Sequence, residues 1–160
     1  MPDTLHTDAM LERAIALAVT THEGQRDKAG QPYVLHPLRV MLRVAPDIEA
    51  QTVAVLHDTV EDSEKGSEDR RVTFDTLHRL GFSKAVVDAV DCLTRRHGEP
   101  YAPFIERLAV NPLAVRVKLA DLADNLDVAR LSHVQEADVE RLNRYIEARR
   151  FLLGLHMDST

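Results

Sequence analysis

The segment that decides the fold is Leu56-His57-Asp58-Thr59-Val60-Glu61-Asp62, which crowds four ionisable side chains into seven residues. Together with Val53, three members of this segment, Leu56, His57 and Val60, follow the spacing of one helix face. The pattern predicts a helix from about Ile48 to about Val60 with a histidine in its buried stripe. Carboxylates beside such a stripe need cations or a metal, because burying them unpaired is unfavourable.

A second helix shows the same kind of anomaly. After Pro112, an acidic side chain lies on a line of small and apolar residues: Ala114, Val117, Asp121, Asn125 and Val128. A third polar residue, His36, stands directly before Pro37, where another helix is predicted to begin. Two histidines and two carboxylates from three helices are what a divalent metal site in a helical bundle requires.

Each of these features also has a purely structural interpretation. A single histidine on an apolar stripe is more often a satisfied core residue than a ligand. Asp121 could simply pair with Lys118, one turn earlier on the same predicted helix. Glu61 and Asp62 could form a solvated helix end. The combination of all these features, rather than any one of them, favours the metal site.

The remaining chain predicts an all-α, single compact helical bundle over residues 1–160, with its core at about residues 8–155. No stretch alternates with period two for long enough to indicate a sheet. A loop is predicted before Pro32, and the charged stretch at residues 63–71 reads as a mobile loop. The predicted helix starts are Asp8 or Thr7, Pro37, Thr73, Ser83, Pro103 and Asn111-Pro112. A last helix, at about 136–155, is predicted to turn Val139, Leu142, Ile146 and Leu153 inward.

Composition narrows the class of protein. The 160 residues are 44% hydrophobic but only 4% aromatic, so the core must be aliphatic. A net charge of −6 argues against nucleic acid as a partner, because that requires a basic surface. No apolar run is long enough for a membrane span, and the N-terminus lacks the plan of a signal peptide. Cys92 is the single cysteine, which fits a reducing compartment, so we predict a cytoplasmic protein with no membrane partner.

With these motifs in view, the chain resembles the HD-domain metal-dependent phosphohydrolases. More narrowly, it resembles the hydrolase domain of the Rel/SpoT alarmone enzymes and the stand-alone small alarmone hydrolases. The motifs that carry the resemblance are His22-Glu23-Gly24-Gln25, Gly30-Gln31-Pro32-Tyr33, His36-Pro37, residues 56–62, and Val117-Lys118-Leu119-Ala120-Asp121 with Asn125. They cover about residues 8–155 in the family's order, so the resemblance implies a single HD-domain bundle.

The resemblance also implies a site. The family's metal ligands fall on His36, His57, Asp58 and Asp121, and the family usually holds Mn²⁺. Two imidazoles and two carboxylates suit Mn²⁺ on chemical grounds, or Fe²⁺ or another divalent transition metal. The family's catalytic Glu-Asp pair falls on Glu61 and Asp62, which would orient or deprotonate the attacking water.

The implied activity is that of a (p)ppGpp 3′-pyrophosphohydrolase, an enzyme of the stringent response that acts on a phosphorylated nucleotide. Asn125 matches a position near the substrate's ribose and phosphate. Lys28, Lys118 and Arg26 are the cations expected to help bind substrate, whereas Arg39 and Arg43 are expected to be ordinary surface charge. The sequence leaves the oligomeric state open.

Departures from the family pattern concentrate at the substrate positions: Asp27, Ala29, Leu122, Asp127 and Val128. Asp27 replaces a stacking arginine and adds negative charge near an anionic ligand. Three hypotheses therefore stay open. The chain is an alarmone hydrolase-like enzyme, an HD nucleotide phosphatase with a different nucleotide substrate, or a non-catalytic protein that binds a metal and a nucleotide.

Overall fold

A computed structural model describes residues 4–66 and 68–157, and these fold as packed helices. The helices are α1 (Thr4–Thr21), α2 (Leu35–Arg43), α3 (Ile48–Leu56), α4 (Thr59–Ser63), α5 (Phe74–Arg79), α6 (Lys84–Leu93), α7 (Tyr101–Leu108), α8 (Pro112–Asn125) and α9 (Glu136–Met157). Short 3₁₀ turns occupy Glu68–Arg70 and Val128–Arg130. Extended pairing in the described residues is limited to a single bridge between Arg26 and Pro32. The predicted all-α class is confirmed.

Side-chain caps explain where several of these helices begin. Thr73 accepts a hydrogen bond from Thr76 N, Ser83 from Val86 N, and Asn111 from Ala114 N, as their residue types predict. Other starts differ from the prediction. Helix α1 begins at Thr4, before the predicted caps, and α7 begins at Tyr101, two residues before Pro103. Proline fits the first turn of a helix at more than its first position, since several N–H groups there lack partners.

The predicted helix at residues 48–60 is interrupted. Helix α3 ends at Leu56, and α4 begins at Thr59, so that His57 and Asp58 form the junction. The Thr59 hydroxyl donates to Leu56 O at 2.8 Å and satisfies a carbonyl at the break. The uninterrupted helix was therefore wrong at this point. His57 keeps helical dihedral angles, with φ −56° and ψ −31°, whereas Asp58 departs to φ −103° and ψ −3°, so the distortion is concentrated at Asp58.

Two aliphatic clusters form the core. The first joins α1, α2, α3, α6 and α8 around fully buried residues such as Val53 and Leu56. The second lies between α7, α8 and α9 and contains Leu108, Leu122 and Leu152. Among the described residues, none of the helices combines the length with the apolar character that a membrane span needs.

The predicted inner face of α9 was wrong. Val139 is 48% exposed and Ile146 is 43% exposed, whereas Ala148 and Leu152 are buried in the second cluster. Apolar residues occur on more than one face of this helix, so periodicity alone does not select the buried one. The contacts with α7 and α8 select it instead, and they turn Tyr145 toward the interior.

Candidate metal centre

Side chains of α2, the α3–α4 junction and α8 converge on one point. One ligand atom each from His36, His57 and Asp58 lies within 4.8 Å of the others. His57 Nε2 is 2.9 Å and His36 Nε2 is 3.8 Å from Asp58 Oδ2. Asp121 Oδ1 joins them, at 3.0 Å from His36 Nε2 and 3.6 Å from His57 Nε2. The structure thus brings together all four residues that the sequence predicted as ligands.

Both histidines present the same ring nitrogen to this point. His57 Nδ1 lies 2.7 Å from Ala54 O, and His36 Nδ1 lies 2.8 Å from Asp124 Oδ2. A carbonyl or carboxylate oxygen can only accept, so each Nδ1 carries the proton. When the imidazoles are neutral, each Nε2 therefore has a free lone pair, as a metal ligand requires.

The arrangement passes a direct test of fit to a divalent cation. His57 Nε2 is buried and has no hydrogen-bond partner, although Asp58 Oδ2 lies close by in poor alignment for one. Ligands about 2.1 Å from one ion and at right angles to each other are about 3 Å apart. The separations here, from 2.9 to 3.8 Å, match that spacing. Two nitrogen and two oxygen donors are suited to a divalent transition metal.

Charge in the cluster also calls for a cation. Burial opposes protonation of His57, but Asp58 and Asp121 outweigh it and raise the pKa of His57. Burial would raise the pKa of Asp121, yet Lys118 and both histidines hold it well below the ordinary value. With the histidines neutral, as metal binding requires, Lys118 is left to balance two carboxylates, the buried Asp121 and the half-buried Asp58. A divalent cation would compensate the excess negative charge.

Asp121 is held in place from two sides. The Lys118 ammonium donates to Oδ2 at 2.8 Å, and the Asn125 amide donates to Oδ1 at 2.7 Å. Lys118 also lies over the rings of Tyr101 and Phe104, at 5.9 and 5.4 Å from their centroids. Lys118 therefore pairs with Asp121, as one interpretation of the sequence predicted. Lys118 and Asn125, the predicted substrate residues on α8, thus both donate to the candidate ligand Asp121.

Asp58 is held by a hydrogen bond from another part of the chain. The Tyr33 hydroxyl donates to Asp58 Oδ2 at 2.5 Å, across the gap between the loop after α1 and the α3–α4 junction. Burial and the Asp58 carboxylate raise the pKa of Tyr33 well above its ordinary value, so the phenol keeps its proton. Such partners fix the orientation of a ligating carboxylate.

The two predicted catalytic carboxylates face different spaces. Glu61 lines the same cleft as the cluster, and its Oε2 accepts a hydrogen bond from Arg95 N at 3.3 Å. Burial and the charge of Asp58 raise the pKa of Glu61. Asp62 instead lines a neighbouring cavity, where it bonds Lys65 Nζ at 2.7 Å and lies 3.6 Å from His22 Nδ1. In this geometry Glu61 is the carboxylate that can reach a reacting group beside the cluster.

A cleft of about 560 Å³ opens above the cluster. Its lining includes Arg26, Lys28 and Ala29 from the loop after α1, and Arg141 and Tyr145 from α9. Further cations along the cleft come from α2, the α6–α7 connection and the segment after α8: Arg39, Arg95 and Arg130. The predicted substrate residues Lys28, Arg26, Lys118 and Asn125 all line this cleft, which suits an anionic ligand with an extended shape.

Several departures from the family pattern have structural roles. Asp27 Oδ1 accepts from Ala29 N at 2.9 Å and Gln31 N at 2.8 Å, so its charge stabilises the turn of its own loop. Leu122 is fully buried and packs in the second cluster, so it fills the core in place of the family's arginine. Asp127 caps the 3₁₀ turn through Ala129 N at 3.1 Å.

The sequence did not predict a role at this site for two residues that contact a candidate ligand or its partner, Asp124 and Arg39. Asp124 is fully buried against His36, and Arg39, expected to be surface charge, donates two hydrogen bonds to it. The available signal was spacing: Asp124 lies three residues after Asp121, so both carboxylates occupy neighbouring positions on the buried side of α8.

The comparisons with known proteins agree with this geometry, although no family model matches the chain. The chain is 34% identical over 124 residues to the GTP pyrophosphokinase of Streptomyces coelicolor. It is 31% identical over 127 residues to the guanosine-3′,5′-bis(diphosphate) 3′-pyrophosphohydrolase of Aquifex aeolicus. The alignments cover 75% and 72% of this chain but only 15% and 17% of those relatives, so the chain spans about a sixth of their length.

A third relative and a solved structure complete the comparison. The bifunctional (p)ppGpp synthase/hydrolase SpoT of Escherichia coli is 27% identical over 130 residues, which are 72% of this chain and 17% of that protein. The structure of a metazoan ortholog of SpoT, described as hydrolysing ppGpp, superposes with a TM-score of 0.72. That match covers 91% of this chain and 85% of the other at 23% identity, and it shows the fold.

The helical bundle and the convergent His-Asp cluster have the arrangement that the sequence resemblance to HD-domain hydrolases predicted, and the fold matches that of the solved SpoT ortholog. The sequence relatives and the structural match confirm, more particularly, the predicted resemblance to the Rel/SpoT-type hydrolase domain.

Proposed function

We propose that this domain is a metal-dependent phosphohydrolase that acts on a phosphorylated nucleotide. The observation that carries the proposal is the convergence of two imidazole nitrogens and two carboxylates on one point at the floor of a cleft lined by cations. The proposed ligands are His36, His57, Asp58 and Asp121. Mn²⁺ is the proposed metal, with Fe²⁺ or another divalent transition metal as alternatives that suit the same donors.

The metal would supply Lewis-acid chemistry when bound, by lowering the pKa of water and neutralising phosphate charge. The residues of the chain supply the rest. Glu61 lines the cleft near the cluster, and burial together with the charge of Asp58 raises its pKa, which favours uptake of a proton. Its role is to accept a proton from the attacking water.

Asp62 has a different proposed task from Glu61. Its carboxylate bonds Lys65 and lies near His22 in the cavity next to the cleft. The His22 ring in turn packs against Tyr33, with centroids 4.9 Å apart, and Tyr33 donates to Asp58. Asp62 therefore supports the orientation of a candidate ligand through this chain of contacts.

The proposed substrate is (p)ppGpp, with release of its 3′-pyrophosphate. Its two diphosphate groups require several cations, and the lining of the cleft includes Arg26, Lys28 and Arg141. The relatives from Aquifex aeolicus and Escherichia coli are named for this hydrolysis, whereas the Streptomyces relative is named for a pyrophosphokinase. Hydrolysis is the activity proposed here, because the four candidate ligands would hold a metal that activates water, and Glu61 would accept the proton of that water.

The test is a Mn²⁺-dependent turnover assay on ppGpp and on its adenine counterpart, with pyrophosphate and orthophosphate both quantified. The Asp58→Ala variant is the blank, because it removes a candidate ligand. Pyrophosphate release from ppGpp is the expected result. Orthophosphate release, or turnover of the adenine nucleotide alone, would assign the site to an HD nucleotide phosphatase with a different substrate.

Metal analysis completes the test. The wild-type chain should retain about one equivalent of Mn²⁺ after loading and desalting, and Asp58→Ala should retain little, because the remaining ligands no longer complete the site. Stable metal with no turnover on a broad nucleotide panel would support the non-catalytic binding protein instead. A wild-type chain that holds no transition metal would refute the proposal.

A further inference from the structure

Asp124 is a buried carboxylate with an unusually complete set of donors. It is fully shielded from solvent, and its Oδ2 lies 2.8 Å from His36 Nδ1. Arg39 donates from Nε to Oδ1 at 2.9 Å and from its terminal nitrogen to Oδ2 at 3.0 Å. This bidentate contact fixes the plane of the carboxylate and aims Oδ2 at the imidazole.

Two further arginines lie close to this carboxylate. Arg130 approaches Oδ2 at 3.4 Å and also donates to the backbone carbonyl of Asp124 at 2.9 Å, while Arg43 lies 3.9 Å from Oδ1. Both carboxylate oxygens of Asp124 thus accept hydrogen bonds from guanidinium groups. An oxygen that accepts from an arginine can also accept from a ring N–H, so in the 2.8 Å contact His36 donates through Nδ1.

We infer that Asp124 is a positioning residue that fixes the tautomer and the orientation of His36 so that Nε2 faces the metal centre. The inference rests on the proposed metal site and adds a residue that holds one of its ligands. A carboxylate bonded to the far nitrogen of a ligating histidine orients the ring and makes it a stronger ligand. His57 obtains the same orientation from a backbone carbonyl, Ala54 O, which bears no full charge.

The cluster thus has two differently supported imidazoles. His36 depends on a side chain, Asp124, whereas His57 depends on the backbone of its own helix. Substitution at Asp124 should therefore weaken one ligand selectively and leave the other in place. A purely structural role, as an anchor for Arg39, would instead change stability and leave metal affinity unaltered.

The experiment compares Mn²⁺ affinity in the wild type, Asp124→Asn and Asp47→Asn, by titration calorimetry of the metal-free full chain. Asp47 is the matched control, since it bonds Arg116 and Ala50 N at the start of α3, outside the cleft. Asp124→Asn should bind Mn²⁺ about 10- to 100-fold more weakly, and Asp47→Asn should bind as the wild type does. Circular dichroism of the metal-free proteins shows whether each variant is folded.

A second measurement does not depend on a variant that folds. In the ¹⁵N-labelled wild type loaded with Zn²⁺ as a diamagnetic probe, NMR should show His36 protonated at Nδ1, with slow exchange of that proton. Protonation at Nε2 in the loaded protein would overturn the inference. So would equal Mn²⁺ affinity in the wild type and a folded Asp124→Asn variant. A wild type that binds no Mn²⁺ would overturn the metal site itself, and the role of Asp124 with it.

Discussion

Glu61→Gln is the substitution that most directly separates chemistry from metal binding. Glu61 lines the cleft, and its Oε2 accepts a hydrogen bond from Arg95 N at 3.3 Å. Glutamine has nearly the same shape, and its amide oxygen can still accept that bond. The substitution therefore leaves the packing and the four candidate ligands unchanged, and it removes only the ability to take up a proton.

The expected loss of activity can be stated as a fold-change in kcat. A positioned general base contributes about 10²- to 10⁴-fold, so kcat should fall by that factor, which corresponds to about 3–5 kcal/mol in the barrier. Manganese content should remain at the wild-type level. The assay measures Mn²⁺-dependent release of pyrophosphate from ppGpp under saturating substrate, with metal content determined on the same preparation.

Glu64→Gln is the matched control. Glu64 directly follows α4, is exposed and pairs with Arg71 at 3.3 Å, away from the cleft. Its kcat should equal that of the wild type. A Glu61→Gln enzyme with full kcat would refute the assignment of the base. Loss of the metal along with the activity would show instead that Glu61 belongs to the metal site.

Four other predictions test separate parts of the structure. Asp27→Ala removes two hydrogen bonds within the loop that carries Arg26 and Lys28. It should raise KM for the nucleotide by about two- to tenfold with little change in kcat. A lower KM would show that repulsion between Asp27 and the anionic substrate dominates. Leu122→Ala should lower the free energy of unfolding by about 2–5 kcal/mol in urea titrations, and Leu122→Arg should fail to fold rather than gain activity. The Arg107 guanidinium lowers the pKa of Glu99 from 4.5 to about 2, so this pair stabilises the fold fully above about pH 4.5 and loses its effect as the pH falls toward 2. Glu99→Gln should therefore have a free energy of unfolding about 1–2 kcal/mol lower than that of the wild type at neutral pH. The two free energies should become equal in acid. Burial opposes protonation of His57, but the neighbouring carboxylates raise its pKa. Protons therefore compete with the metal for this imidazole, and Mn²⁺ affinity should fall in calorimetric titrations as the pH is lowered.

Sequence reasoning captured the helical class and the residues that meet at the cluster. Burying a carboxylate or a histidine without a partner costs free energy. His57, Asp58 and Asp121 could therefore be predicted as site residues from their positions in or beside an apolar helix face. Cap residues such as Ser83 and Asn111 act on their own first turn, and their effect could be predicted from local sequence.

Tertiary contacts decided the rest. The break at Asp58 depends on how α3 and α4 pack, and a continuous apolar pattern hides it. The buried face of α9 was set by contacts with Leu122 and its neighbours, since apolar residues of α9 are not confined to one side. Asp124 looked like one more polar residue of α8, because its partners, His36 and Arg39, lie more than eighty positions away in the chain.

The two hydrophobic clusters have a consequence for how such a domain can change. The candidate metal ligands stand on α2, the α3–α4 junction and α8, within or beside the first cluster. The aromatic wall of the cleft, Tyr101 and Tyr145, packs on the second. Substitutions around Leu152 would therefore change the wall of the cleft through Tyr145, and α2 and the α3–α4 junction would keep their packing in the first cluster. Helix α8 packs in both clusters, so such changes would reach the candidate metal ligands through this helix.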